Sequence, residues 1–109
     1  MKASEIFNKF WLARNDINLN IRDRKFLFKI NLCEDFNCYE SQTSYKFKYM
    51  NFNSFNEIEL IDKKHKVVKT LNEENVVWIS SIYYESKGVD FKVCDFNYTK
   101  LDKGDDTNE

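Results

Sequence analysis

Apolar residues recur along this chain with two different periods. Near the start, Ala3, Ile6, Phe7, Phe10 and Trp11 fall on one face of a helix, with Glu5, Asn8 and Lys9 opposite. Ser4 reads as its N-cap, although Phe7 three residues on leaves the reciprocal capping box unfilled, and Asn15 and Asp16 read as its stop. Such a helix lays its aromatic stripe against a sheet.

From Ile17 the period falls to two. Ile17, Leu19 and Ile21 alternate with polar residues, and Phe26, Phe28, Ile30 and Leu32 resume the alternation after Asp23 and Arg24. The two runs are expected to pair as a hairpin, but Asp23-Arg24 is not a favoured two-residue turn, so either the loop is longer or the pairing differs. A polar, aperiodic stretch follows over 33–43. A third strand starts near Tyr45, with Tyr45, Phe47 and Tyr49 on one face and Lys46, Lys48 and Met50 on the other, and the asparagines from Asn51 to Asn56 turn it. Further strands are expected over 57–62, 66–71, 76–85 and 89–98, and their short connections favour antiparallel neighbours. In the last strand the apolar phase moves from Val89, Phe91 and Val93 to Phe96 and Tyr98, which a β-bulge near Cys94-Asp95 would produce.

The expected fold class is therefore α+β, an N-terminal amphipathic helix followed by a mainly antiparallel sheet of about six or seven strands. An open sheet on the helix and a small curled barrel both satisfy the pattern, and the span 58–85 would suit the meander of an Sm- or SH3-like barrel by fold analogy alone. Residues 1–101 are expected to form one domain, with 102–109 an acidic, disordered tail.

Composition narrows this picture. A chain of 109 residues is one domain by size, and with alanine only at Ala3 and Ala13 its core must be built from the aromatic residues, 17% of the sequence. Arginine occurs only at Arg14, Arg22 and Arg24 and proline is absent, while lysine, asparagine, isoleucine, phenylalanine and tyrosine abound, the signature of an A/T-rich genome. Net charge is −1, and Asp102, Asp105, Asp106 and Glu109 outweigh Lys103 in the tail, so the rest is only weakly positive. Net charge thus argues for neither nucleic acid nor an anionic membrane. No apolar run approaches the roughly 18 residues of a membrane helix, and no signal-peptide core is present, so a cytoplasmic location is expected, with Cys33, Cys38 and Cys94 as reduced thiols.

Candidate chemistry is sparse. His65 is the only histidine and lies among Lys63, Lys64, Lys66 and Lys69 on an expected hairpin turn, a poor place for a general base. Cys33 and Cys38 could form half of a zinc site completed by Cys94 and His65, but thiols flanking a loop is the plainer reading. Gly88 and Gly104 are the only glycines, too few for a phosphate-cradling loop. No catalytic site, metal or cofactor is expected.

Two binding functions remain. The first is a non-catalytic protein-binding module, a small accessory or inhibitor protein of a phage or mobile element that blocks a host defence protein, anti-CRISPR-like in kind. Its acidic loop, Glu34, Asp35 and Glu40, would engage a basic nucleic-acid channel on the partner. The second is direct nucleic-acid binding by a small OB- or Sm-like β-domain. Aromatic residues interleaved with lysine at Tyr45, Lys46 and Lys48, or the turn with Lys63, Lys64 and Lys66, would stack bases and track phosphates. The same alternation also arises when the aromatic face is core and the lysine face is wet.

Overall fold

The computed structural model describes residues 1–16, 26–34, 42–72 and 78–102. Helix α1 spans Ala3–Asp16 and starts earlier than a Ser4 cap would set it. Lys2 occupies the N-cap position: its carbonyl accepts the Glu5 and Ile6 N–H groups at 3.0 and 3.1 Å. Glu5, three residues on, reaches back so that its Oε1 accepts the Lys2 N–H at 3.0 Å. The carboxylate half of a capping box is therefore present without a hydroxyl cap, and the charge of Glu5 also suits the positive end of the helix.

Seven strands follow, β1 Leu27–Cys33, β2 Gln42–Phe47, β3 Tyr49–Phe52, β4 Ile58–Ile61, β5 Val67–Leu71, β6 Trp78–Ser86 and β7 Val89–Thr99. They form two open antiparallel sheets, ordered β2-β1-β6-β7 and β3-β4-β5, so the fold is α+β without a closed barrel. The β3-β4-β5 meander is a sheet of its own, and β6 pairs with β1 and β7. An Sm-like continuation of the meander through β6 is thereby excluded. β1 has β2 on one edge and β6 on the other, and the hairpin expected between 17–22 and β1 falls on residues 17–25, which lie outside the described residues.

One strand serves both sheets. β2 passes into β3 through a bend at Lys48, whose backbone N–H donates to Ile61 of β4 at 2.8 Å. Strands that cross from sheet to sheet make such corners. The β3–β4 and β4–β5 turns are built alike. Asn53 and Asp62 each accept two backbone N–H groups with a side-chain oxygen, and Asn56 and His65 take positive φ angles of 61° and 64°. These are hairpin loops closed by a left-handed residue, with the Asn or Asp side chain mimicking the turn.

α1 lies over the inner face of both sheets. Ile6 and Phe10 are buried, with the Phe10 ring centroid 5.0 Å from Phe28 of β1 and 5.7 Å from Phe47 of β2, while Phe7 packs at 6.0 Å on Phe52 of β3. Trp11 sits on the shoulder of this stripe, stacked on Phe7 and largely exposed. Around the helix the core gathers Phe28, Ile30, Leu32, Phe47, Ile58, Leu60, Leu71, Ile79, Ile82, Phe96 and Leu101.

The phase switch expected in the last strand is present. The register of β6 on β7 slips between Ile82/Cys94 and Tyr83/Lys92, leaving Val93 extra, and again between Ile79/Thr99 and Ser81/Asp95, where Asn97 and Tyr98 adopt positive φ. Beyond β7, the Met1 ammonium donates to Asp102 Oδ2 at 2.8 Å, and Asp102 N–H donates to the Met1 carbonyl at 2.9 Å. Asp102, assigned above to the tail, is thus held against the chain start, and residues 103–109 lie outside the described residues. No helix among the described residues is long and apolar enough to cross a membrane.

Candidate functional site

The inner face of the four-stranded sheet carries one aromatic side chain from each strand in a single cross-strand row. Register places Phe47 opposite Phe28, Phe28 opposite Tyr84, and Tyr84 opposite Phe91. Neighbouring ring centroids are 5.5, 6.0 and 6.4 Å apart, and Phe26 joins them at 5.4 Å from Tyr84. The row begins in the core and ends in solvent: Phe47 and Phe28 are fully buried, whereas Phe91 is 55% exposed and Val89, on the same face, is 50% exposed. The helix covers the row only at its β1 and β2 end, where Phe10 sits, and packs on β7 further along, where Lys9 reaches Phe96 and the Asp95 carbonyl.

Beside Phe26 the bend at Lys48 opens a cleft of about 380 Å³, lined by Phe26, Leu27, Lys46, Phe47, Lys48, Asp62, Lys63 and Lys64. Lys48 Nζ lies 3.6 Å above the Phe26 ring and donates to the Phe26 carbonyl at 3.1 Å, a cation–π contact that caps the ring. Four lysines thus surround one carboxylate. Asp62 spends Oδ1 on the Lys64 and Lys66 backbone N–H groups, at 2.8 and 3.0 Å, and those bonds hold its carboxyl below the usual range.

The sequence-selected residues fall in different places. Lys46, Lys48, Lys63 and Lys64 meet at the cleft, while Lys66 is exposed on the same turn without lining it. Tyr45 is on the inner face, so the aromatic side of β2 is indeed core, and the outward Lys46 pairs with Glu85 at 3.3 Å. Glu34 is committed internally: Oε1 accepts the Tyr45 hydroxyl at 2.6 Å and lies 3.1 Å from Lys69 Nζ. The Tyr45 bond is the main cause that lowers the Glu34 pKa, and bonding to Glu34 raises those of Tyr45 and Lys69. Asp35 and Glu40 lie outside the described residues, as does Cys38.

His65 sits exposed on the β4–β5 turn with its ring stacked on Tyr49 at 5.5 Å. Cys33 and Cys94 are buried, and burial pushes the Cys94 thiol up to about 11, which leaves it protonated and a poor nucleophile at neutral pH. No group of three or more metal-ligating side chains is found among the described residues.

The outer face of the same sheet is knitted together by its own side chains. Lys29 pairs with Asp90 at 2.6 Å, Lys46 with Glu85, and Lys92 with Asp95, and Ser44 donates to Asn31 at 2.6 Å. Val89, Phe91, Tyr84 and Phe26 did not emerge as a site from the sequence, because Val89 and Phe91 alternate as core residues do. Only the pairing of β1 with β6, distant in sequence, brings the four together. No protein-family model, curated protein or solved structure matches the chain.

Proposed function

We propose that this chain is a non-catalytic protein-binding module, a small accessory or inhibitor protein of a phage or mobile element that acts by covering a surface of a host protein. The observation that carries the reading is the aromatic row that runs from the core into solvent at the open end of the four-stranded sheet. Interfaces gain most of their energy from a few such anchors, rigid apolar side chains rooted in a packed scaffold and ringed by polar groups. Phe91 has that character, its ring resting on Tyr84 and through it on Phe28 in the core, and Val89 stands beside it on the same face. The phage or mobile-element origin rests on the A/T-rich composition and small size.

The carboxylate-mimicry version of this reading loses Glu34, whose charge is used between Tyr45 and Lys69. Docking through the row takes its place. Direct nucleic-acid binding is the second reading, and the meeting of four lysines at the cleft favours it.

Affinity capture from the native host with wild-type protein, a Val89→Asp/Phe91→Asp variant and a Phe55→Asp variant tests the proposal. Phe55 is 79% exposed at the tip of the β3–β4 turn, away from the row, and serves as the control. The row variant is expected to keep the circular dichroism and thermal midpoint of the wild type yet to lose the captured partner at least about tenfold, with the control unaffected. A partner retained by the row variant, or lost by both variants alike, contradicts it.

A further inference from the structure

We propose that the cleft at the Lys48 bend binds carboxylates of the protein partner, so that the docked segment is an acidic peptide with apolar residues on the Phe91–Tyr84–Phe26 row and carboxylates among Lys48, Lys63 and Lys64. The inference rests on the protein-binding reading and adds the chemistry of the partner segment.

Continuity of the two features is its first support. Phe26 belongs to both, lining the cleft and standing 5.4 Å from Tyr84, whose ring is 6.4 Å from Phe91. An extended peptide rises about 3.3 Å per residue, so a few residues reach from the row to the cleft.

Charge is the second. The cleft is walled by Lys46, Lys48, Lys63 and Lys64 against Asp62 alone. Asp62 is occupied by backbone N–H groups of its own turn, and among the described residues Lys63 and Lys64 enter no ion pair. An incoming carboxylate therefore displaces no bond of theirs.

The rings and the remaining lysines favour an acidic peptide over a polynucleotide. A nucleic-acid strand needs free ring faces for its bases and a track of cations for its phosphates. Lys48 covers the Phe26 ring at 3.6 Å, Phe28 and Phe47 are fully buried, and Tyr84 is flanked by Phe26, Phe28 and Phe91. Away from the cleft, Lys29 and Lys92 are matched by Asp90 and Asp95 on the sheet's outer face, and Lys46 at the cleft wall is matched by Glu85. Lys63 and Lys64 thus bring positive charge without an ion-pair partner among the described residues to the side of an apolar surface.

Fluorescence anisotropy at low salt with three labelled probes tests this. They are a peptide of about ten residues with leucines followed by glutamates, the same peptide with glutamines, and an oligothymidylate of similar length. The glutamate peptide is expected to bind at least about tenfold more tightly than either other probe, to weaken with salt, and to lose that advantage in a Lys63→Glu/Lys64→Glu variant, whose substitutions fall on an exposed turn and whose thermal midpoint is checked. Equal binding of the glutamine peptide overturns the carboxylate site, as does an oligothymidylate that binds more tightly and depends on Lys63 and Lys64. Failure of the row is separable: loss in the Lys63→Glu/Lys64→Glu variant supports the cleft, whereas Val89→Asp/Phe91→Asp leaving both peptide and captured partner unchanged removes the protein-docking reading.

Discussion

Glu34, Tyr45 and Lys69 come from the end of β1, from β2 and from β5, and their mutual bonds fasten one sheet to the other. The sign of their pH dependence follows from the direction of each shift. Glu34 titrates below its ordinary value, so its contribution is present above about pH 4.3 and is lost as the pH falls through the folded value. Tyr45 and Lys69 titrate above theirs, so their contributions are present below about pH 10 and are lost as the pH rises through the folded values. Urea unfolding of wild type and Glu34→Gln should differ by about 1–2 kcal/mol at pH 7, and the difference should shrink toward pH 3 as the wild-type carboxylate protonates. A difference unchanged between the two pH values contradicts the assignment. Single-residue roles of this kind were only partly legible in the sequence. Alternation alone set Tyr45 and Phe47 inward and Lys46 outward, but a partner for Glu34 requires knowing that β5, more than thirty positions away, lies beside β2.

At the scale of elements, α1 matters because it bridges the two sheets. Phe7 packs on Phe52 of the three-stranded sheet, while Phe10 meets Phe28 edge-on and Phe47 obliquely in the four-stranded one. Phe10→Ala should cost about 3–5 kcal/mol, read as a fall in the urea midpoint with the slope unchanged, and Trp11→Ala, on the exposed shoulder, should cost distinctly less. Equal losses at the two positions would contradict the packing described. The helix, β1, the strands from β4 onward and the bulge in β7 could be read from local periodicity, since each is fixed by neighbours within a few residues, whereas the single strand expected from Tyr45 is two, broken at Lys48, with Tyr49 turned outward. The order β2-β1-β6-β7 and the Lys48 bend could not. Both depend on partners remote in sequence, and periodicity is blind to which edge of a strand another strand will take. The N-cap was misplaced for a simpler reason: Ser4 is a favoured cap residue, but the back-reaching Glu5 and the buried Ala3 draw the helix start to Lys2.

Over the whole molecule, the two sheets and the helix enclose one core and leave that core open at the β6–β7 end, where its aromatic row continues into solvent beside the cleft. Other large apolar side chains are exposed, among them Leu12, Phe55, Val67 and Val68, whereas the row joins the core through ring contacts, as Trp11 does through Phe7. Surface apolar residues scattered singly carry no functional meaning, whereas a contiguous patch rimmed by polar groups marks an interaction site. The central claim is that this end is the docking surface. Side-chain oxidative footprinting of the protein, alone and in complex with its captured partner, tests it most directly. Phe26, Tyr84 and Phe91 should become protected in the complex while Leu12 and Phe55 keep their reactivity; protection confined to Leu12 and Phe55, with Phe91 still open to oxidation, would rule out docking at this end.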